Sequence, residues 1–350
     1  MNKTRHFPSL NGWRAVAILL VLGRHFVFVG GMPSGLAGFF TQFDGELGVR
    51  LFFTLSGFLI TWLMLNEERQ AGRISLSRFY ARRAARILPV YLACLLVLAA
   101  LQFWGSYPQP GRIWLQLLTF TRNFYQTGHS EFFASAHFWS LSVEEQFYFM
   151  WPLGFLCLRG APARRLKFLG AVVVLSTAWK IIALLGCYNR HLYFLFQGES
   201  TFIEMDGLAL GCIGAIWLDQ REDGLRKFFV RYGPAVFLLA AMVLIVPEIA
   251  GLGRTVQPMA FLLLLLHSIV VPEFAAYRLL NQRWLVTIGI LSYSLYIWQQ
   301  LVLVLWPAPA WWFLAMPATF VAAGLSYWFL ERPFFGLRNR LRNARMDTNS

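Results

Sequence analysis

The sequence has few charged residues, and this shortage excludes most classes of soluble protein. Only 14% of the 350 residues are Asp, Glu, Lys or Arg, whereas 57% are hydrophobic. A soluble domain carries roughly 25% charged residues, which keep its surface hydrated. A chain of this composition cannot cover its surface with polar groups, so we expect that surface to face lipid. Soluble enzymes, secreted disulfide-rich scaffolds and disordered proteins are excluded.

Cysteine and lysine are also scarce. The four cysteines, Cys94, Cys157, Cys187 and Cys212, show no CxxC spacing, so the sequence predicts neither a metal site nor a disulfide framework. Only four of the 31 basic residues are Lys, and the arginines form short clusters between apolar runs. Nucleic-acid binders instead collect basic residues on one hydrated face. We therefore expect a lipid bilayer as the partner, and no nucleic acid.

Long apolar runs are abundant. A helix needs about 20 mostly apolar residues to cross a bilayer. The segment 112–124 is apolar but too short to cross, and we interpret it as re-entrant or interfacial. We predict an all-α integral membrane fold with about ten transmembrane helices, in one domain over 1–335 with a basic cytoplasmic tail over 336–350. The runs that predict these helices are 10–29, 47–66, 86–105, 137–158, 167–186, 201–218, 231–250, 255–272, 284–306 and 311–330.

The positions of arginine and lysine predict the orientation of these spans. If the N-terminus is cytoplasmic, 23 of the 31 basic residues fall in inside segments, four fall in outside segments, and four lie within spans. Cytoplasmic loops of multi-pass proteins carry such an excess. We expect both termini in the cytoplasm. We also expect the first run, which Arg14 interrupts, to stay in the protein rather than to be removed as a signal peptide.

Ionisable residues within the first run indicate a functional site, because such groups are costly in a bilayer. Arg14 and His25 are 11 residues apart, so both project from one face of a helix. The rise per residue separates them by about 16 Å along the axis. The alternative is that Arg14 reaches the headgroups and His25 lies at the membrane interface.

A second group of polar residues surrounds Glu144, in the segment 137–148. Glu144 and Glu145 are neighbours and cannot share a helix face, so one of them points inward. A partnership between His25 and Glu144 is chemically sensible, because a buried carboxylate requires a partner. The alternative is an ion pair that only joins helices.

Further polar groups occur in three other runs. Arg82 and Arg86, at positions i and i+4, form a fork that suits phosphate groups, or else a simple membrane anchor. Ser56 suits close helix packing better than nucleophilic chemistry, because no base stands at a telling spacing. Glu204 and Asp206 are about 200° apart around a helix, so at most one of them faces a given cavity.

Taken in order, these segments resemble the acyltransferase type 3 family of bacterial membrane O-acyltransferases. The resemblance extends over almost the whole chain. The chain departs from the common family pattern at Glu204, where many members have Arg, and at Gln299, where many have His. The matching segments are LNGWRAVAIL with the Arg14–His25 spacing, FFTLSGFLIT, RxxRILP at 83–89, WSLSVEEQFY, MDGLALG, SYSLYIW and the closing ERPF.

The resemblance implies transfer of an acyl group, most simply acetyl, from cytoplasmic acyl-CoA, without a metal. The implied acceptor is a hydroxyl of a surface or exported polysaccharide or oligosaccharide, or of its lipid-linked precursor, at the bacterial inner membrane. His25 and Glu144 are the expected catalytic residues. The expected donor-binding residues are Arg14, Arg82, Arg83 and Arg86. The candidate acceptor-binding residues are Arg50, Tyr148, Glu204, Asp206 and Trp298.

Three alternatives remain open at this point. His25 either deprotonates the acceptor directly or first takes the acyl group itself. The acceptor could instead be a small molecule or an antibiotic sugar. A transporter or flippase would also place charges along a path through the membrane, although such proteins usually show internal repeats and this sequence shows none.

Overall fold

Every regular element in the described part of the chain is helical, as the apolar runs predict. A computed structural model of the protein describes residues 7–29, 32–42, 45–105, 107, 109–124, 133–186, 193–196, 199–245, 253–305 and 312–334. The predicted tail, 336–350, lies outside these ranges. The long helices are α1 (Ser9–Val29), α3 (Gly45–Ala71), α4 (Leu76–Phe103), α7 (Phe138–Cys157), α8 (Pro162–Leu184), α10 (Thr201–Ile245), α11 (Gly253–Val270), α12 (Arg283–Leu305) and α13 (Trp312–Ser326).

Short helices connect the long ones. The predicted interfacial segment forms helix α5 (Gly111–Leu118) and a 3₁₀ turn, Arg122–Phe124. Helix α5 has eight residues, so it is only about 12 Å long and cannot cross a bilayer. A π-helical turn, Tyr327–Glu331, follows α13. The other short helices are α2 (Ser34–Gln42), α6 (Phe133–Ala136) and α9 (Tyr193–Phe196).

Seven helices in the described ranges are long and apolar enough to cross a membrane, which makes the chain a multi-pass membrane protein. The predicted count of ten and the orientation of the termini stay predictions. Helices α1 and α7 are not among the seven. The seven segments are Glu46–Ala71, Leu76–Phe103, Pro162–Leu184, Phe194–Leu244, Gly253–Val270, Arg283–Leu305 and Phe313–Phe334.

Two of the predicted spans belong to one element. The runs 201–218 and 231–250 both fall largely in α10, which has 45 residues. A helix of that length extends about 67 Å, roughly twice the hydrocarbon thickness. Its helical geometry breaks at Arg221, where φ is −136° and ψ is 32°. The kink divides α10 into two parts, each of a length that suits a bilayer.

Small residues bring the central helices into backbone contact. Helix α3 packs against α1 and α10, and α1 also packs against α12. A side chain at Gly57 would overlap the carbonyl oxygen of Leu208, and one at Gly211 would overlap that of Thr54. Close backbone packing around these glycines fixes α3 at the centre of the bundle.

The outward faces of α4 and α8 are apolar. Leu96 on α4 and Val174 on α8 are 71% and 67% exposed. A soluble protein rarely exposes such extended apolar faces, whereas a bilayer accommodates them. The polar groups turn inward instead, toward the space between α1, α3, α4, α7 and α12.

Candidate active site

A cavity of about 100 Å³ lies among α1, α3, α4, α7 and α12. These five helices come from distant parts of the sequence, so the motifs that were noted separately meet at one place. Aliphatic and aromatic side chains form much of the wall. The polar and charged residues that line the cavity are Arg14, Ser56, Arg83, Arg86, Ser140, Glu144, Tyr148, Ser292, Tyr293 and Tyr296.

Arg14, Arg83 and Arg86, which we call the arginine cluster, line the cavity together. The guanidinium carbon of Arg83 lies 4.1 Å from the ring centroid of Tyr148, which places the predicted residue Tyr148 in the wall beneath a cation. Arg14 lies within electrostatic range of Arg86 and Glu144. Three guanidinium groups around one space within the helix bundle favour an anionic ligand.

Arg82 does not belong to the arginine cluster. Its Nη2 lies 2.7 Å from Oε2 of Glu67, and Arg78 contacts the same carboxylate group at 3.3 Å. Arg83 and Arg86, at positions i and i+3, face the cavity, whereas Arg82 lies about 100° further around α4. A carboxylate at the end of α3 binds Arg82 in the structure, so the fork of Arg82 and Arg86 stays a prediction.

Glu144 stands in the cavity beside Ser56. The Ser56 hydroxyl donates a hydrogen bond of 2.6 Å to Oε1 of Glu144. Glu144 is also within electrostatic range of the whole arginine cluster. The sequence analysis favoured helix packing for this part of α3. Gly57 does pack against α10, but Ser56 faces the cavity and orients the carboxylate of Glu144.

His25 lies in a second polar group, formed by His25, His137, Gln299 and Gln300, which we call the imidazole layer. Nδ1 of His25 is 2.9 Å from Oε1 of Gln299, and Nε2 of His25 is 3.1 Å from Nε2 of Gln300. Oε1 of Gln300 accepts a bond of 3.0 Å from the backbone N–H of His137 and lies 2.7 Å from its Nδ1. The amide of Gln300 therefore bridges two imidazole rings.

The predicted contact between His25 and Glu144 is wrong. Among the described residues, Gln300 joins His25 to His137, whereas Glu144 lies seven residues further along α7 and bonds to Ser56. Seven residues of helix correspond to about 10 Å of rise. Glu144 is thus held about 10 Å from the imidazole layer. The depth of each residue depends on how α1 and α7 pack against each other, which no spacing within one helix predicts.

Tyr296 and Ser140 lie between the arginine cluster and the imidazole layer. The Tyr296 hydroxyl donates a hydrogen bond of 2.8 Å to the carbonyl oxygen of His137 and lies 2.5 Å from the Ser140 hydroxyl. Both residues line the cavity, and each stands about one helical turn from the imidazole layer, on α12 and α7 respectively. They form the boundary between the two polar regions.

Asp206 belongs to a buried network away from the cavity. Lys180 Nζ lies 2.6 Å from Oδ2 of Asp206 and 3.1 Å from both the Arg254 carbonyl oxygen and the Thr255 hydroxyl. Asp206 is 1% exposed, so this pair is shielded from solvent. Lys180 is a partner that sequence reasoning did not assign, because the two residues lie on different helices, α8 and α10.

Arg50 and Glu204 are part of the same network. The Arg50 guanidinium donates a hydrogen bond of 2.5 Å to Oε1 of Gln257 and one of 2.6 Å to Oε2 of Glu46. Arg254 contacts Glu46 at 3.2 Å and Glu204 at 3.3 Å, and it thereby links the two carboxylates. The network joins α3, α8, α10 and α11. The Glu204 departure from the family pattern thus coincides with a direct contact to Arg254.

The remaining predicted residue, Trp298, is half-buried and packs against the apolar core. Its indole Nε1 is buried without a hydrogen-bond partner among the described residues. Glu331 of the closing ERPF segment was not assigned a role from sequence. It ends the π-helical turn and accepts a hydrogen bond of 2.5 Å from the Ser294 hydroxyl. Its carboxylate lies within electrostatic range of Arg14 and Arg86. π-Helical turns are frequent at functional sites.

A third polar group lies at the predicted outer side, around the 3₁₀ turn. The Asn123 amide donates a hydrogen bond of 2.8 Å to the Thr201 hydroxyl, and the Gln146 amide donates one of 2.9 Å to Oδ1 of Asn123. Thr201 in turn donates to Oε1 of Gln146 and closes a ring of three hydrogen bonds. Burial lowers the pKa of the neighbouring Arg122 guanidinium, an effect that Glu199 opposes. These contacts join the 3₁₀ turn to α7 and α10.

Comparison with known proteins gives consistent matches. The family model described as "Acyltransferase domain" matches residues 7–332. The O-acetyltransferase OatA of Staphylococcus aureus (strain NCTC 8325 / PS 47) is 28% identical over 327 residues, which cover 87% of this chain and 52% of that protein. "Putative O-acetyltransferase SACOL0978" of Staphylococcus aureus (strain COL) is 28% identical over 367 residues, which cover 95% of this chain and 58% of that protein. The chain therefore spans little more than half of the length of these relatives. No solved structure gives a significant match.

Proposed function

Because this chain belongs to the acyltransferase domain family, we propose that it is a membrane O-acyltransferase that uses cytoplasmic acyl-CoA and acylates a hydroxyl group. The observation that carries this proposal is the arginine cluster, which lines a cavity within the helix bundle, together with a histidine held by two amides on the same helix as Arg14, about 16 Å away along the helix axis. Anion binding and proton transfer thus have separate places along one path.

The arginine cluster is the proposed donor site. Guanidinium groups match phosphate oxygens in geometry and stay charged inside a bundle. The polyphosphate head of an acyl-CoA is the anionic ligand that also carries an acyl group. We assign Arg14, Arg83 and Arg86 to this head, and Tyr148 to the wall beneath Arg83. Arg82 supports the site indirectly, by holding α4 to Glu67 at the end of α3.

His25 is the proposed base. Its imidazole takes the proton of the acceptor hydroxyl, the hydroxyl oxygen bonds to the acyl carbon, and the bond from that carbon to sulfur breaks. The imidazolium then returns the proton to the departing thiolate, so that free CoA leaves. The long pantetheine arm of the donor lets the thioester reach the imidazole layer while the phosphates stay at the arginine cluster. In the acyl-histidine alternative, the same nitrogen takes the acyl group first.

Glu144 keeps a proposed catalytic role, but in the cavity rather than at His25. It is positioned by Ser56 and faces the cations that hold the donor. In this place its negative charge offsets the repulsion among the guanidinium groups. The acceptor-binding role predicted for Arg50, Glu204, Asp206 and Trp298 stays a prediction, since those residues lie in the buried network or the core.

The proposed donor is acetyl-CoA, and the proposed acceptor is a sugar hydroxyl of an exported polysaccharide, an oligosaccharide or a lipid-linked precursor. The relatives named O-acetyltransferases support transfer of acetyl to oxygen. The bacterial inner membrane is the proposed location, because it has acyl-CoA on one side and glycan precursors within reach.

Radiolabelled acetyl-CoA and the purified full chain in lipid nanodiscs test this function. We expect CoA release that depends on a hydroxyl acceptor, with the label bound covalently to that acceptor, and no release from His25→Ala. A panel of lipid-linked glycans, free oligosaccharides and small aminoglycosides identifies the acceptor class. In proteoliposomes, label that crosses the bilayer without a covalent product would instead indicate a transporter.

A further inference from the structure

The direction of each hydrogen bond in the imidazole layer follows from one backbone group. The N–H of His137 can only donate, so the atom of Gln300 that it contacts at 3.0 Å must be the carbonyl oxygen. The other terminal atom of Gln300 is then the NH₂ group, which can only donate. That NH₂ group lies 3.1 Å from Nε2 of His25.

The tautomer of His25 follows from this assignment. Because Gln300 donates to Nε2 of His25, this nitrogen must accept and carries no proton. A neutral imidazole whose Nε2 is unprotonated carries its proton on Nδ1. Nδ1 lies 2.9 Å from Oε1 of Gln299, an acceptor, so this bond has the matching direction. Both ring nitrogens are thus held by carboxamides, from consecutive residues of α12.

We infer that Gln299 and Gln300 prepare His25 as a base, with Gln299 fixing the proton on Nδ1 and Gln300 covering Nε2 until an acceptor hydroxyl displaces it. This inference rests on the proposed function, in which His25 accepts the proton. Gln299 is a positioning residue that takes the orienting place once expected of Glu144. Gln299 thereby orients His25 with a neutral amide.

The displacement of Gln300 follows from proton balance. Before transfer, Nε2 accepts from Gln300; during transfer, Nε2 gains the hydroxyl proton and becomes a donor. Two donors then face each other, so Gln300 must turn away from Nε2, while Gln299 still accepts from Nδ1 throughout. The proton leaves Nε2 with the thiolate, and Gln300 can return. His137 shares Oε1 of Gln300, and Arg24 lies within electrostatic range of His25.

The same substitution at these two adjacent residues gives a matched test. In Gln299→Glu, the carboxylate still accepts from Nδ1, so Nε2 stays free. In Gln300→Glu, the carboxylate replaces the donor at Nε2 with an acceptor, which draws the ring proton to Nε2 and removes the base. Both variants add one negative charge at the same depth, so their general cost is comparable.

Acceptor-dependent CoA release by purified, monodisperse protein is the readout, with acetyl-CoA affinity measured separately. We expect Gln299→Glu to be at least about tenfold more active than Gln300→Glu near neutral pH, with similar acetyl-CoA affinity. We also expect the acid limb of the Gln299→Glu pH–activity profile to move to higher pH, because the carboxylate stabilises the imidazolium. A smaller ratio, the reverse order or an unmoved acid limb would overturn the inference.

Gln299→Met keeps the inference testable if a charged variant does not fold. Met has a similar length but cannot accept a hydrogen bond, so we expect kcat about tenfold lower with unchanged acetyl-CoA affinity. An unchanged kcat would overturn the role of Gln299. Failure of the proposed function is distinguishable, because it would appear as absent CoA release in the wild-type protein or as normal turnover in His25→Ala.

Discussion

The arginine cluster and the imidazole layer differ in the kind of polar group that builds them. The arginine cluster has three fixed positive charges, with Glu144 beside them. The imidazole layer, over its described residues, consists of two histidines and two amides joined by hydrogen bonds. Along α7, Glu144 beside the arginine cluster lies about 10 Å from His137 of the imidazole layer.

The difference indicates a division of work. Fixed charges bind an anion strongly but change little when a proton moves nearby. Neutral amides and imidazoles bind anions weakly, yet they hold a proton at a defined atom. A donor that carries phosphates at one end and a reactive thioester at the other needs both environments, at different depths. Variants should therefore affect either donor affinity or turnover, but seldom both.

The largest effect is expected for His25→Ala. Loss of a general base costs about 10² to 10⁴ in rate, so acylation should fall below detection while acetyl-CoA affinity stays within twofold. Turnover per mole of folded protein and donor binding by calorimetry are the measurements. His267→Ala is a matched control, because it removes a buried imidazole that bonds to Tyr277 instead. Near-normal turnover in His25→Ala would contradict the assignment of proton transfer to the imidazole layer.

A large effect on stability is expected for Lys180→Met. This change leaves Asp206 buried without its partner at 2.6 Å, and breaking a buried pair typically costs about 3–5 kcal/mol. The double variant Lys180→Met with Asp206→Leu should recover much of the loss, because no buried charge is then left unpaired. Thermal unfolding measures both variants. If the pair instead binds the acceptor, the double variant would keep stability but lose acceptor affinity.

An intermediate effect is expected for Arg83→Ala. A charged hydrogen bond contributes about 1.5–3 kcal/mol, so acetyl-CoA affinity should fall about 10- to 100-fold, while kcat at saturating donor changes little. Arg82→Ala is the matched control, since the adjacent Arg82 binds Glu67 outside the cavity. Titration of both variants with acetyl-CoA decides the point. Equal losses in the two would assign both arginines to membrane anchoring.

The smallest effect is expected for Glu144→Gln. The amide keeps the shape of the side chain and can still accept from Ser56, so kcat/KM should fall only about three- to tenfold. The pH–activity profile should keep its shape, because Glu144 lies about 10 Å from the imidazole layer. Glu145→Gln, at a side chain that does not line the cavity among the described residues, should have less effect. A shifted acid limb in Glu144→Gln would restore a contact with His25.

The helical fold and the family could be predicted because they depend on local pattern. Apolar run length predicts helices directly, and ordered motifs identify the family over 7–332. The motifs also assigned Arg14, Arg83 and Arg86 to one donor site, and these three line one cavity, where Glu144 and Tyr148 join them.

Contacts between helices could not be predicted in the same way. Whether Arg82 faces the cavity depends on Glu67, and the partner of Asp206 is Lys180 on another helix. The depth of one helix relative to its neighbour decides whether His25 meets Glu144 or Gln299. No spacing within a single helix carries that information. The contact of His25 with Gln299 joins two helices, α1 and α12, that are far apart in the sequence.

A double-mutant cycle between Glu144→Gln and Gln299→Met tests the separation of the two regions most directly. The readout is kcat/KM for acceptor-dependent CoA release by the two single variants and the double variant. Sites about 10 Å apart without shared partners should be additive within about 0.5 kcal/mol, and this is the result we predict. A coupling above about 1 kcal/mol would contradict the account and would return Glu144 to the side of His25.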